Sequence, residues 1–133
     1  LAGAKAITEM GAVHRSLPAC PQMHGTGMWI GTMVALNCGG TVITQRTQHL
    51  DADALLQCVV DSEVTDLTIV GDAFARPILA SLDAAKAAGK PYDLSRVGQI
   101  ASSGVMWSSE IKEGLLKHQD MVLVGVGINQ ILI

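Results

Sequence analysis

The 133-residue sequence predicts an α/β fold, a layered α/β/α arrangement on a mainly parallel sheet. Three observations carry this. From Thr26 onward, short β-branched or unbroken apolar runs alternate with segments of helical apolar period. Apolar residues make up 49% of the chain but include only four aromatics, Trp29, Phe74, Tyr92 and Trp107, a composition suited to helices covering both faces of a sheet. Glycines punctuate the ends of these runs, where the chain must reverse.

Thr26 to Asn37 reads as a helix closed by Gly39 and Gly40, which supply the positive φ angles a helix C-terminus favours. Thr41 to Thr44 follows as a short β-branched strand. Asp51 caps the next helix, whose Leu55, Leu56, Val59 and Val60 form one apolar face. Leu67 to Val70 is a strand buried on both sides, ended by Gly71-Asp72. Pro77 is expected near the first turn of a helix running to about Ala88, after a looser turn from Asp72 to Ala75, and Gly89 ends it. Arg96 to Ser102 is a third strand. Ser108 caps a helix carrying Ile111, Leu115 and Leu116 inward, and Met121 to Val126 is the fourth strand.

Length allows one hydrophobic core, and no repeat or linker divides it. A net charge of -3 and the scarcity of aromatics exclude a nucleic-acid surface. The 30 residues between Arg15 and Arg46 carry no Asp, Glu, Lys or Arg, yet prolines, glycines and Asn37 interrupt them. Only Met28 to Leu36 is continuously apolar, which is too short to span a bilayer and predicts a buried helix. Cys20, Cys38 and Cys58 form no C-x-x-C pair, so neither disulfide framework nor zinc site is written, and a reducing cytoplasm is expected. His14, His24, His49 and His118 lie in four separate segments, so no metal site is expected. No basic and apolar leader opens the sequence, and the missing initiator Met suggests a fragment.

Candidate chemistry gathers in three places. Pro21-Gln22-Met23-His24-Gly25-Thr26-Gly27 brings an imidazole and two glycines to a helix start, which favours a carboxylate or phosphate. His24 either holds such a group or is a structural histidine in a turn. Ala101-Ser102-Ser103-Gly104-Val105 ends a strand, and Gly104 there lets a flat ring lie close; a plain turn is the alternative. That corner lacks the first glycine of a G-x-S-x-G elbow, which disfavours serine hydrolase chemistry. Asp72 reads as a helix cap before it reads as a catalytic acid.

The run Leu17-Pro18-Ala19-Cys20-Pro21-Gln22-Met23-His24-Gly25-Thr26-Gly27 is followed in order by Gly39-Gly40-Thr41-Val42, Asp51-Ala52-Asp53-Ala54-Leu55-Leu56 and Gly71-Asp72-Ala73-Phe74-Ala75-Arg76-Pro77. Tyr92-Asp93-Leu94-Ser95 and Ile100-Ala101-Ser102-Ser103-Gly104-Val105-Met106-Trp107-Ser108 complete the series. Together, from about residue 17 to 121, they resemble the middle of acyl-CoA synthetases, the fatty-acid-CoA ligases of the adenylate-forming superfamily, with a leaning to the actinobacterial fatty-acid or steroid-type branch. The resemblance implies that residues 1–133 are a single partial domain, an internal segment of the large N-terminal adenylation domain. It also implies activation of a carboxylic acid by ATP and Mg2+ to an acyl-adenylate, then transfer to coenzyme A. By the same resemblance His24 sits at the acyl carboxylate and adenylate as the catalytic residue. Gly25, Met28 and Trp29, with Asp72 and Phe74, belong to the acyl site, although Met28 and Trp29 on their own read as core. Ser103, Gly104, Val105 and Met106 match the corner that lies on adenine, and Ser103 and Val105 replace smaller residues there, which implies a tighter pocket.

The departures bear on activity. No Ser/Thr/Gly-rich phosphate loop with a lysine occurs between Leu1 and Ser16, and no carboxylate follows Asp120 to supply the magnesium-binding Glu of the family. The ribose-binding Asp and the C-terminal catalytic lysine are also missing. The expectation is therefore a central piece of a cytoplasmic ligase, peripheral to a membrane if associated at all, whose isolated chain is inactive. Its partners are small molecules rather than nucleic acid, and the uncharged Met121 to Ile133 is expected to promote self-association. The rivals are a non-catalytic remnant that binds an acyl chain or nucleotide weakly, and an unrelated flavodoxin-like binding module.

Overall fold

Apolar runs separated by helical segments can pair only in parallel, each helix making a crossover. The computed structural model, which describes residues 13–119 and 121–126, has that arrangement. Strands β1 (Arg15–Pro18), β2 (Thr41–Val42), β3 (Asp66–Ile69), β4 (Gln99–Ser103) and β5 (Val122–Val126) form one sheet of order β2-β1-β3-β4-β5, with every pair parallel. The four expected strands are present, and β1 is a fifth, lying inside the sheet between β2 and β3. Leu17 is fully buried opposite Leu67, and Pro18 sits opposite Thr68 as the last residue of its strand. The N–H that Pro18 lacks would face the side of β2, which ends at Val42, so the ladder to β3 is unbroken and Ala19 donates to the Thr68 carbonyl at 2.9 Å.

Helix α1 begins with wide turns over Thr26–Met33 and continues as a regular α-helix over Val34–Asn37. The wide turns show in the Val34 N–H, which bonds the Trp29 carbonyl five residues back. The expectation of a buried helix here is corrected. Thr26, Gly27, Gly31 and Ala35 face inward, whereas Met28, Trp29, Met33 and Leu36 are 39–65% exposed. Small residues are needed inside because α1 lies tight on the sheet. A Cβ on Gly31 would stand 2.7 Å from Pro18 Cβ and 3.3 Å from Thr68 Cβ. The hydroxyl of Ser16 in β1 donates to the Gly31 carbonyl at 2.7 Å, fixing the helix in place.

Helix α2 (Ala52–Asp61) starts as expected, with Asp51 accepting the Ala54 N–H at 3.0 Å and Leu55, Leu56 and Val59 buried. Helix α3 (Gly71–Ala87) differs from expectation: it begins at Gly71 without a looser turn and holds Pro77 in its interior. Proline's fixed φ is helical, so the cost is the hydrogen bond its missing N–H would have made to the Ala73 carbonyl, and buried Ala75, Ile78 and Leu82 keep the helix on the core. Helix α4 (Ser109–Leu116) buries Ile111 and Leu115, but Leu116 points outward at 40% exposure. Right-handed crossovers put α1 on one face and α2, α3 and α4 on the other, where they pack in sequence order and enclose the main core from Leu17 to Leu123. Beyond Val126, the apolar C-terminal end expected to associate lies outside the described residues.

At the amino edge of the sheet, His14 Nδ1 lies 2.7 Å from Asp66 Oδ2, and both side chains are more than nine-tenths buried. Burial pushes the Asp66 carboxyl up, against the opposing pull of the Thr65 hydroxyl and of His14. The folded chain thus holds this proton more tightly than the unfolded chain. Stability is expected to decline as pH rises from the ordinary carboxylate range through the raised value of Asp66, and Asp66→Asn should remove that slope. Urea unfolding at a series of pH values checks this; parallel curves for the two proteins would refute it.

Candidate functional site at the carboxyl edge of the sheet

In a 2-1-3-4-5 sheet the connections leave β1 and β3 in opposite directions, and the crevice beyond their carboxyl ends is where such folds bind ligands. Three loops meet there. After β1 the chain turns so that the His24 N–H bonds the Pro21 carbonyl at 3.0 Å, and the Met28 N–H bonds the His24 carbonyl at 3.0 Å. Gly27 is required at this turn: a Cβ would stand 2.5 Å from the Pro21 carbonyl oxygen. The Thr26 N–H donates to His24 Nδ1 at 3.2 Å, which leaves Nε2 to carry the proton of a neutral ring.

After β4, Gly104 adopts φ +90 and lies against that imidazole. A Cβ on Gly104 would sit 3.3 Å from His24 Cε1, 3.7 Å from Nε2 and 3.8 Å from Thr26 Oγ1. After β3, the Gly71 N–H donates to the fully buried Ser102 hydroxyl at 2.8 Å, and Gly71 at φ +57 packs against Val105. His24 and the Gly104 corner, predicted separately from sequence, therefore adjoin, and Ser102 ties the β3 loop to the same place. Ser103 is half-buried, while Val105 and Met106 are 56% and 74% exposed.

Asp72 braces this edge. Its Oδ1 accepts the Ser108 N–H at the start of α4 at 2.9 Å, and its Oδ2 meets Arg76 at 3.2 Å. Partial burial pushes its carboxyl up, but the Ser108 hydrogen bond and the Arg76 guanidinium outweigh that and hold it below the usual range. Asp72 thus carries the geometry of a bracing carboxylate.

The other acyl-site candidates are divided. Gly25 is the residue before α1, and Met28 and Trp29 stand exposed on its outer face, outside the cleft that Phe74 lines. That cleft, of about 390 Å³, opens beside the β1 turn between Pro18, Cys20, Gln22, Thr44, His49 and Phe74. Phe74 alone of the predicted site residues lines it. Sequence reading missed its polar wall from Thr44 to His49; the only signal was a short polar stretch between a strand and a capped helix. Burial raises the Cys20 thiol in this wall, partly offset by a hydrogen bond to its own backbone. Among the described residues no three His, Cys, Asp or Glu side chains converge as a metal-binding group.

A layered parallel sheet with three loops converging on an imidazole beside a strand-end glycine defines an α/β protein with its ligand edge at the carboxyl ends of the strands. No family model matches the chain. Over 100 residues, 75% of this chain and 18% of the relative, it is 42% identical to a medium/long-chain-fatty-acid-CoA/3-oxocholest-4-en-26-oate-CoA ligase of Mycolicibacterium smegmatis. It is 30% identical to a medium-chain acyl-CoA ligase of Mycobacterium avium, over 83% of this chain and 20% of that one. A solved NRPS protein containing adenylation and PCP domains shares the fold, with a TM-score of 0.66 at 20% identity over 86% of this chain and 19% of that one. The chain belongs to the acyl-CoA ligase (acyl-CoA synthetase) family. It spans about a fifth of the length of the curated relatives it matches.

Proposed function

We propose that this chain forms part of the acyl and adenine site of a ligase that joins a fatty or steroid-type carboxylic acid to coenzyme A at the expense of ATP. The supporting observation is the contact of His24 with Gly104 at the carboxyl edge of the sheet. In that reaction a carboxylate oxygen attacks the α-phosphorus and pyrophosphate leaves; the thiolate of coenzyme A then attacks the acyl carbon and AMP leaves. With Nδ1 occupied by the Thr26 N–H, His24 offers Nε2–H to the acyl carboxylate or the adenylate phosphate. Gly104, bare of a side chain, lets the His24 imidazole come close to the strand end, where adenine is proposed to lie.

Asp72 acts here by position: it fixes the start of α4 and with it the loop that carries Val105 and Met106. Phe74 extends the site toward the 390 Å³ cleft. Among the described residues no helix is long and apolar enough to cross a membrane, and a reducing cytoplasm is the compartment proposed for the free Cys20, Cys38 and Cys58.

The test is acid-dependent exchange of labelled pyrophosphate into ATP by a full-length ligase carrying this segment, assayed with medium-chain, long-chain and steroid acids. His24→Ala should lower exchange about 10²-fold with the fold intact, the usual scale for losing a positioned proton donor. Unchanged exchange would refute the role of His24.

A further inference from the structure

Ser102 is fully buried in β4, beside Ile69 in the parallel register of β3 and β4. A polar side chain in such a place is costly unless it is hydrogen-bonded. Its hydroxyl accepts the Gly71 N–H at 2.8 Å, and that N–H belongs to the first turn of α3, where the helix offers its own donors no acceptor. Val70, the residue before the helix, supplies no side-chain cap. Ser102 therefore caps α3 from the neighbouring strand.

The same bond anchors one end of the loop from Ser103 to Trp107. The other end is anchored one residue further along α3, where Asp72 Oδ1 accepts the Ser108 N–H at 2.9 Å. Between the anchors the loop rests on Gly71, whose missing Cβ would stand 3.1 Å from Val105 Cβ and 3.2 Å from the Met106 carbonyl oxygen. Gly104, two residues past Ser102, meets the His24 imidazole. Asp72 thus braces the far end of the loop, and Ser102 the end next to Gly104.

We propose that Ser102 is a positioning residue for the adenine nucleotide, its hydroxyl holding the Gly104 corner in the arrangement that receives the ring. The proposal rests on the adenine placement given above and adds a residue that, being fully buried, acts only through Gly71 and the loop. Without the hydroxyl the buried Gly71 N–H is left unpaired, and the corner is released to arrangements in which that N–H finds another acceptor. The corner then holds its competent form about a tenth of the time, and apparent nucleotide affinity falls by the same factor. Once bound, the nucleotide holds the corner itself, so turnover at saturation changes little.

The test is steady-state pyrophosphate exchange by a full-length ligase carrying this segment. Ser102→Ala should raise the KM for ATP about tenfold, with kcat within about threefold of wild type and the KM for the acid unchanged. Ser102→Thr, which keeps the hydroxyl, should retain the wild-type KM for ATP. Ser102→Val, of the same shape without the hydroxyl, should behave as Ser102→Ala, and this pair carries the comparison should the alanine variant fail to fold. A merely structural serine gives another pattern, lower thermal stability with both KM values intact, and that result would overturn the proposal. So would equal KM values for ATP in the threonine and valine enzymes. His24→Ala separates this proposal from the reading beneath it. If it lowers exchange while Ser102→Ala leaves the KM for ATP unchanged, Ser102 is wrongly assigned and the site stands; if neither substitution affects exchange, the site itself is refuted.

Discussion

Gly104→Val in a full-length ligase carrying this segment is expected to lower acid-dependent pyrophosphate exchange by about 10²-fold or more while the fold survives. Two effects combine. The backbone at Gly104 holds φ +90, where an L side chain is strained by roughly 1–3 kcal/mol. The larger effect is positional: the first carbon of the new side chain would lie 3.3 Å from His24 Cε1 and 3.8 Å from Thr26 Oγ1, and the rest of valine has to displace the imidazole. Displacing a reacting group by an ångström is enough for a loss of this size. Gly39→Ala is the matched control, because Gly39 shares a positive φ of 70 but has nothing within 4 Å of its missing Cβ. It should cost some stability and leave exchange unchanged. Equal losses from both substitutions would mean that backbone strain, and not the contact with His24, is what matters.

The 133-residue chain alone is expected to show no exchange above background with any acid. Transfer of this kind relies on neutralising the triphosphate and holding it in line. The sequence has no Ser/Thr/Gly-rich loop with a lysine before Ser16, and no carboxylate after Asp120. Losing one charge-stabilising group commonly costs about 10²-fold, and here several are missing together. The purified chain is assayed beside an active full-length relative. Acid-dependent exchange that disappears on His24→Ala would show that the chain supplies these groups from within.

The sheet and its crossovers were legible because strand and helix patterns in this chain rarely compete. Thr41-Val42, Leu67 to Ile69, Ile100-Ala101 and the strand after Met121 are apolar or β-branched, and Asp51 marks a helix start by its own chemistry. Strand β1 was hidden by Arg15 and Pro18, residues that argue against a strand until it is seen that Pro18 ends it. The burial of α1 was misjudged because an uncharged stretch looks buried to any reading of composition. Facing depends on which residues can approach the sheet, and at 2.7 Å from Pro18 only a glycine fits at Gly31. Pro77 reads as a first-turn residue for a related reason: packing by Ala75, Ile78 and Leu82 holds a helix that local propensity would break.

At the site, His24 and Gly104 could each be picked from sequence, because an imidazole beside glycines and a strand-end glycine both carry a local signal. Their contact across 80 residues could not, because it depends on β1 and β4 running parallel in one sheet with their carboxyl ends level. The Thr44 to His49 wall of the cleft left no trace, since ordinary polar loop residues look alike whether or not they face a cavity.

The most direct measurement is a crystal structure of a full-length ligase carrying this segment, bound to a non-hydrolysable acyl-sulfamoyl adenosine. The proposed site requires the linker to lie within hydrogen-bond reach of His24 Nε2 and the adenine to lie on the Gly104 corner. An analogue held away from both, for example wholly within the cleft between Thr44, His49 and Phe74, would contradict it.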